Sequence, residues 1–431
     1  MTFAAAPRYL RGGVRRVRRA ALPIAGSLLV LATGMAYFFW WGAVVGSPAV
    51  WVPPGDIWAT IRSSDYVVWG YFGGIYSAGT KLVTFPGILL VLAPVSALSN
   101  ALRLQEAFPF MVPHPTAWLV IGPYVLLVGC LPLFAFDALG VRMGLSMARR
   151  AFLMVGEVIV IWQVLVLWGH PEDTIAIGVA CYALMATFDG RWVAAGWLFG
   201  IALAFQPLVL LIYPVALIAL SRHPNVTVRE WAGMFARSVV VPVALLAAPL
   251  ISNWRASTRA LVDQPNFPTV DHPTPWLVLA PHLSRARSSS GLDEVSAGPP
   301  RAIAVITAIA LAWRSRRWSV DLPTLTWLAS ACLAVRCFFE AVMVPYYVWP
   351  AIGVALVSAA RRGVLNLTVC LAAGLGATVW SYVRIGSWSY WLVLVLLLAL
   401  MLTAAVPVRF GALRLVRGPV VRQRSATRSS L

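Results

Sequence analysis

One short turn between two long apolar runs concentrates groups that can do chemistry. The segment WGHPED, residues 168–173, places His170 next to the two carboxylates Glu172 and Asp173. These side chains suit three roles: they can orient hydroxyl groups of a substrate, bind a divalent cation, or cap the helix that begins at Pro171. Because two carboxylates in apolar surroundings cost free energy unless a partner meets them, this turn is the first candidate site.

A second candidate lies in an aromatic-rich segment, residues 47–83. Asp56 and Asp65 are nine residues apart, a spacing that places both on one side of a continuous helix. A carboxylate held against an apolar wall can accept a proton from a hydroxyl nucleophile, so the segment is interpreted as a source of a general base. The alternative is an interfacial belt of aromatic residues with solvated acids.

Polar side chains also interrupt the later apolar runs. Gln206 stands before a proline where one apolar run gives way to the next. It is a candidate substrate-binding residue, and the alternative is that it only breaks the helix pair. Arg336 and Glu340 are four residues apart, so they are expected either to pair with each other or to leave Arg336 to bind an anion such as a phosphate. Tyr346 and Tyr347 follow shortly and are candidates to line a lipid or sugar site.

Other potentially reactive residues are not assigned to a candidate site. Asp137 and Glu157 fall inside apolar runs, where an acid needs either a partner on another helix or a function. His114 and His272 are lone histidines in loop segments. The cysteines lie in apolar runs without CxxC spacing and are interpreted as packing residues and not as metal ligands: Cys130, Cys181, Cys332, Cys337 and Cys370.

The composition identifies the solvent that surrounds these residues. The chain is 60% hydrophobic and only 11% charged, and its mean hydropathy is +0.80. A water-soluble globule needs far more surface charge, so the sequence predicts an all-α, polytopic integral membrane protein. The net charge of +19 comes from arginines at the ends of apolar runs. It therefore reports orientation in a membrane and not a nucleic-acid partner.

Thirteen apolar runs are candidates to cross the membrane. They cover residues 20–46, 84–98, 117–140, 151–168, 174–188, 192–205, 207–220, 236–252, 301–314, 323–343, 346–360, 364–383 and 389–405. Arginine-rich segments at both chain ends and at 142–150, 189–191, 221–223, 314–317 and 360–362 should all be cytoplasmic. Thirteen spans would place the two arginine-rich chain ends on opposite sides of the membrane. The proline-interrupted run 84–98 is therefore interpreted as re-entrant, which leaves twelve spans.

The resulting arrangement has about twelve transmembrane helices in one domain, residues 20–405. Residues 1–19 and 406–431 are interpreted as basic cytoplasmic arms, and the segments 47–83 and 253–300 as outward-facing loops. The protein is expected in the plasma membrane. Ten of the fifteen carboxylates then lie in or beside outward segments: Asp56, Asp65, Glu106, Glu172, Asp173, Asp263, Asp271, Asp293, Glu294 and Glu340. Chemistry is therefore expected on the outer face.

This layout resembles the GT-C superfamily of membrane glycosyltransferases, and in particular the actinobacterial polyprenol-phosphate-mannose-dependent mannosyltransferases. The family pattern has an early outward acid, a tyrosine about twenty residues later and a proline-led apolar run, which correspond here to Asp56, Tyr76 and TFPGILLVLAPV. A polar turn, a glutamine–proline helix break and a PYY-like helix entry also recur in the family. They correspond to GHPED, AFQP and VPYYVWP.

The resemblance implies an inverting transfer of a sugar, mannose first, from a polyprenyl-phosphate donor to a lipid-linked glycan acceptor. Asp56 would be the general base, and Arg336 or Arg62 would meet the phosphate. The substrate-binding residues implied are Asp65, His170, Glu172, Asp173, Gln206, Arg336, Glu340, Tyr346 and Tyr347. No cofactor is expected, with a divalent ion at GHPED left as an alternative. The expected partners are the donor, the acceptor and membrane lipids, without nucleic acid.

Two further function classes compete with the transferase. A transporter or flippase of a lipid or glycolipid would show paired halves with broken helices in matching positions, and the sequence shows no such symmetry. It would also bury coupling acids near the midplane, where Asp137 and Glu157 are the candidates. A non-catalytic scaffold, or another transferase such as an acyltransferase, is the third class.

Overall fold

A computed structural model describes residues 20–44, 55–77, 85–104, 116–221, 223, 226–263, 266–267, 270–283, 295–318 and 321–407. Most of these residues are α-helical. The first eight helices are α1 (Ala21–Val44), α2 (Gly55–Val68), α3 (Gly87–Ala101), α4 (Trp118–Gly129), α5 (Leu131–Arg142), α6 (Met147–Trp162), α7 (Pro171–Phe188) and α8 (Trp192–Phe205). They are followed by α9 (Tyr213–Ser221), α10 (Val228–Ser252), α11 (Trp254–Asp263), α12 (Gly298–Ser315), α13 (Leu322–Phe339), α14 (Trp349–Arg362), α15 (Val364–Trp380) and α16 (Ser387–Ala405).

The molecule is an all-α membrane protein with several spans. Among the described residues, six stretches are long and apolar enough to cross a membrane: Ala21–Trp40, Trp118–Arg142, Met147–Trp168, Val228–Ser252, Leu322–Phe339 and Ser387–Ala405. Four further apolar stretches are shorter: Gly87–Ala101, Trp192–Phe205, Pro207–Ser221 and Val364–Trp380. Ten of the thirteen predicted apolar runs coincide with these stretches to within a few residues at most ends. The runs 174–188, 301–314 and 346–360 correspond to α7, α12 and α14, which are not among the stretches. The run 117–140 is divided at Cys130 into α4 and α5.

Contacts between helix ends define two opposite ends of the bundle. Arg142 at the end of α5 pairs with Asp189 after α7 at 2.7 Å, and Arg362 at the end of α14 donates to the carbonyl oxygens of Thr403 and Ala404 at the end of α16. We call this the arginine end. The elements that connect α6 to α7, α8 to α9 and α13 to α14 lie at the other end, which we call the cluster end.

Small residues allow close helix packing between α8 and α10. A Cβ at Gly196 would lie 2.8 Å from the carbonyl oxygen of Met234, and one at Gly200 would lie 2.6 Å from that of Arg237. Glycines four residues apart let two helix backbones approach in this way in membranes. Because both contact positions advance together along the chain, α8 and α10 run parallel.

A wide helical turn precedes the GHPED segment. Residues Gln163–Trp168 form a π-helical turn at the end of α6, and Gly169 then adopts a left-handed conformation with φ 68°. Glycine reaches that conformation at little cost because it has no Cβ. The backbone N–H of His170 donates to the carbonyl oxygen of Val164 at 3.1 Å, which closes the turn. Pro171 begins α7, as the sequence predicts.

The described parts of residues 253–300 contain no stretch that is long and apolar enough to cross a membrane. They contain α11, the short antiparallel pair β1 (Asn266–Phe267) and β2 (Val295–Ser296), and a 3₁₀ turn at Pro275–Leu279. Further backbone bonds join this loop to the segment after α13. The N–H of Thr274 donates to Ala341 and that of Met343 to His272.

Candidate functional site

Eight sequence-predicted residues converge at the cluster end and form one contiguous set of contacts. We call this set the polar cluster. It contains His170, Glu172, Asp173, Gln206, Arg336, Glu340, Tyr346 and Tyr347. The cluster draws on three helix junctions that are distant in sequence.

His170 is held in place by an acid and an aromatic ring. Its Nδ1 lies 2.7 Å from Glu172 Oε1, and its ring stacks on that of Tyr346 with a centroid distance of 4.1 Å and an interplanar angle of 22°. Both His170 and Glu172 are buried. The second carboxylate oxygen of Glu172, Oε2, is also buried and has no hydrogen-bond partner among the described residues. That oxygen therefore lacks a hydrogen-bond donor within the described part of the structure.

Asp173 is satisfied by a side chain from the next helix junction. The Nε2 of Gln206 donates to Asp173 Oδ1 at 2.6 Å. Gln206 has extended backbone dihedrals between α8 and the 3₁₀ turn Pro207–Leu211, so it both breaks the helix, as expected, and directs its amide to the cluster. Asp173 also interacts electrostatically with Arg336. Gln206 therefore both interrupts the helix and contacts a second candidate site residue.

Glu340 joins two arginines. Arg336 Nε donates to Glu340 Oε2 at 2.8 Å, which is the first of the two alternatives that their spacing predicts. Arg301 Nε donates to Oε1 at 2.9 Å. The Glu340 side chain has no exposed surface, whereas that of Arg301 is 30% exposed. The guanidinium of Arg336 also lies over the ring of Tyr347, 3.6 Å from its centroid. Two cations share one carboxylate, so this group keeps a net positive charge.

The helix-capping interpretation of Glu172 and Asp173 is only partly correct. Both acids do occupy the first turn of α7, near its positive end. Their described side-chain hydrogen bonds go to His170 and Gln206, however, and not to backbone N–H groups of that turn. The two acids therefore contribute to a side-chain network in addition to any effect on the helix dipole.

Asp65 lies in a different environment from the polar cluster. It is buried on α2 and accepts hydrogen bonds from Ser96 and Asn100 of α3. None of these described contacts involves the cluster. The interpretation that fits them best is structural, since both donors satisfy one carboxylate between two packed helices.

The proposed general base Asp56 lies on α2, but its side chain is outside the part of the chain that the structure describes. The helix itself packs against the π-helical turn Gln163–Trp168 that leads into His170. One buried contact near the start of α2 is between Trp58 and Trp118, whose ring centroids are 5.6 Å apart. Tyr76, the tyrosine of the family pattern, is also buried.

The two acids inside apolar runs differ in whether the described structure gives them a partner. Asp137 forms an ion pair with Arg150 near the arginine end, with an oxygen–nitrogen distance of 2.6 Å, so it has the partner that an intramembrane acid needs. Glu157 is fully buried on α6, and neither carboxylate oxygen has a hydrogen-bond partner among the described residues. Its Oε2 faces the backbone of Gly353, where a Cβ would lie 3.2 Å away.

Three residues that the sequence did not single out form a hydrogen-bonded chain next to the cluster. Trp168 Nε1 donates to the hydroxyl of Tyr382 at 2.8 Å, and that hydroxyl donates to Gln163 Oε1 at 3.1 Å. The Nε2 of Gln163 in turn donates to the carbonyl oxygen of Pro345, next to Tyr346. A glutamine inside an apolar run was the one available signal. Arg301 was also missed, because it is separated from Glu340 by 39 residues.

The loop beside the cluster carries His272. Burial and, to a lesser extent, the nearby Arg384 lower the pKa of His272, while a backbone hydrogen bond with Tyr382 and the charge of Asp271 oppose the shift. The neighbouring Thr274 donates its hydroxyl to the carbonyl oxygen of Glu340 at 2.6 Å. The loop therefore contacts the backbone of a cluster residue directly.

Within the part of the chain that the structure describes, no three or more His, Cys, Asp or Glu side chains are arranged to hold a metal ion. The divalent-ion alternative at GHPED would thus need ligands from a substrate or from other segments. Chemically, the cluster combines acceptors that can bind hydroxyl groups with cations that can bind a phosphate. The sequence matches no family model and no curated protein.

Proposed function

We propose that this protein is a membrane glycosyltransferase. It would transfer a sugar, most simply mannose, from a polyprenyl-phosphate donor to a lipid-linked glycan acceptor on the outer face of the plasma membrane, with inversion at the anomeric carbon. The observation that carries this proposal is the polar cluster itself. Paired acids with a free buried oxygen lie next to paired arginines at the end of the bundle opposite the arginine end.

The orientation that goes with this function has about twelve spans, with both termini in the cytoplasm. In it the arginine end is cytoplasmic, as the bias of basic residues predicts, and the cluster end faces outward. Helix α3 would not cross fully. Two contacts of this helix support the assignment. Gly87 at its start packs against the carbonyl of Ala204 near the cluster end. The amide of Asn100, near its last residue, donates a hydrogen bond to the carboxylate of Asp65 on α2.

The donor phosphate would be met by the arginine pair. Arg336 is fixed by Glu340 and Tyr347, so its charge is positioned before the reaction begins. Such preorganised cations stabilise the charge that develops on a leaving phosphate without reorganisation. Arg301 would add a second, partly exposed cation at the same place. Arg62 on α2 remains a further phosphate contact implied by the family resemblance.

The acceptor hydroxyl would be bound and activated on the acidic side of the cluster. In this proposal Glu172 and Asp173 accept hydrogen bonds from sugar hydroxyls, and Asp56 takes the proton of the attacking hydroxyl. The acceptor oxygen then bonds to the anomeric carbon as the bond from that carbon to the phosphate oxygen breaks. The packing of α2 against the turn before His170 supports a place for Asp56 near these acids.

A transporter is the second candidate, and Glu157 is the observation that favours it. An acid that is fully buried without a described partner is the feature expected of a proton-coupling residue. The polar cluster, however, gathers far more functional groups in one place than the surroundings of Glu157 do. The transferase is therefore the better-supported function.

The test is transfer of radiolabelled mannose from polyprenyl-phosphate mannose, and separately of arabinose, into lipid extracts of membranes containing the protein. Wild type is compared with Asp56→Asn and with Asp65→Asn, a matched acid on the same helix that has its own partners. The proposal expects transfer by wild type, a loss of about 10²-fold or more in Asp56→Asn, and a much smaller effect at Asp65. Absence of transfer with every donor, at verified abundance, would reject the function.

A further inference from the structure

Helix α11 presents an exposed face that mixes cations with apolar side chains. Arg255 and Arg259 are four residues apart on this face, and Trp254 and Val262 flank them. All four residues are exposed: Trp254 by 66% and Val262 by 71%. The opposite face is packed, since Ser257 is buried and donates to the carbonyl oxygen of Pro249.

The position of α11 along the bundle follows from the parallel packing of α8 and α10. Gly200 lies beside Arg237–Val241. Gln206 comes six residues after Gly200, whereas Ser252 comes eleven after Val241, so α10 extends about five residues, or about 7 Å, farther toward the cluster end. Helix α11 therefore begins beyond the level of the polar cluster along the bundle axis.

The apolar surface of α10 continues into this face. Phe235, Val243 and Ile251 of α10 are exposed by 58%, 57% and 85%, which is expected of a helix that faces lipid. Trp254 follows directly after the bend at Asn253. A helix with exposed tryptophan, aliphatic and arginine side chains is typical of segments that lie in the membrane interface.

The charges of the face are not fully balanced by the protein. Among the described residues, Arg259 makes only a long ion pair with Asp263, 3.5 Å, and its own side chain is 72% exposed. Arg255 has no ion-pair partner among the described residues. This contrasts with Arg301 and Arg336 at the same end of the bundle, which share a buried carboxylate. Anionic groups at headgroup level would complement the exposed pair.

We propose that the exposed face of α11 is a binding site for the headgroups of anionic phospholipids, with Arg255 and Arg259 on the phosphates and Trp254 and Val262 inserted beside them. This inference does not depend on the proposed transferase activity. It assigns α11 to the membrane surface and gives the protein a preference for a charged leaflet. Each arginine is expected to contribute about a fivefold gain in apparent affinity for the anionic lipid.

The experiment places a bimane label at Val262→Cys in the full chain, in nanodiscs of phosphatidylcholine with increasing fractions of phosphatidylglycerol. The five native cysteines are buried, so the label is selective. Quenching by a lipid that carries a headgroup-level nitroxide reports proximity to the interface. We expect quenching to rise with phosphatidylglycerol, and the fraction at half response to increase by about fivefold for each arginine replaced in Arg255→Gln/Arg259→Gln.

A charge-matched control separates local binding from a change in net charge. Arg229→Gln/Arg361→Gln removes two exposed arginines near the arginine end and should leave the response at Val262 unchanged. Equal responses in both double variants, at unchanged thermal midpoints, would overturn the proposal. So would strong quenching by aqueous iodide at every lipid composition, which would place α11 in water. A response reproduced by inorganic phosphate alone would identify a free-anion site and would also reject the lipid assignment.

Discussion

Glu340 connects two helices by accepting hydrogen bonds from Arg336 of α13 at 2.8 Å and from Arg301 of α12 at 2.9 Å. The carboxylate is completely buried, so neither arginine can exchange it for water. Because the largely buried Arg336 and the partly exposed Arg301 depend on one anion, the pairing contributes both to stability and to the placement of charge in the polar cluster.

Replacing Glu340 by Ala is therefore expected to destabilise the protein by about 3–5 kcal/mol, the cost of leaving buried charges without a partner. The matched control is Asp263→Asn, which removes the acid of another i,i+4 pair, with Arg259, but at an exposed position. That change should cost less than about 1 kcal/mol. Thermal unfolding in detergent measures both. Equal losses in the two variants would show that burial of Glu340 does not matter.

Glu172→Gln and Asp173→Asn are expected to reduce kcat/KM for sugar transfer by about tenfold to a hundredfold each. The reason is that each change weakens a charge-assisted hydrogen bond to a bound hydroxyl, worth about 1.5–3 kcal/mol. Asp189→Asn at the arginine end removes an exposed acid and serves as the control. If all three variants transferred sugar at the same rate, the GHPED acids would have no part in substrate binding.

Glu157→Leu is expected to raise the thermal midpoint and to preserve sugar transfer. The carboxyl group is buried without a described partner, and removal of such a group from an apolar site relieves about 1–3 kcal/mol of desolvation cost. If the protein is instead a proton-coupled transporter, the variant should remain stable but lose substrate uptake. Measurement of stability, transfer and uptake in the same variant therefore separates the two candidate functions.

Gly200→Ala is expected to destabilise the contact between α8 and α10 by about 1–3 kcal/mol, because the new Cβ would lie 2.6 Å from the carbonyl oxygen of Arg237 and the helices must separate. Gly386→Ala is the control, since a Cβ there meets no atom within 4 Å. The thermal midpoints of the two variants test the difference. A midpoint as high as wild type for Gly200→Ala would show that α8 and α10 accommodate the added Cβ without loss of stability.

Stability is expected to fall as the pH drops below about 6.5, in part because of His272. Burial and Arg384 lower its pKa in the folded protein, so the unfolded chain binds the proton more readily and acid favours unfolding. Asp271 and the backbone of Tyr382 act in the opposite direction, and the ring of Tyr390 lies 6.0 Å away. His272→Gln should reduce the loss of thermal midpoint between about pH 7 and pH 5. An unchanged loss would mean that other groups govern it.

Several local features of this protein follow from the sequence alone. Run 192–205 was predicted from apolar residues and coincides with α8, and Pro171 was predicted to begin the helix that it does begin. The pairing of Arg336 with Glu340 also follows from their spacing, because residues four apart lie on one helix face. These features depend on hydropathy, proline geometry and helical periodicity, all of which act over a few residues.

The polar cluster depends on the tertiary structure. Gln206 reaches Asp173 across 33 residues, Arg301 reaches Glu340 across 39, and Tyr346 stacks on His170 from another helix junction. Hydropathy cannot select such neighbours, since in a bilayer lipid and helix surfaces are equally apolar. Close contacts at small residues, such as Gly200 against α10, decide instead which helix ends meet and therefore which polar side chains share a site.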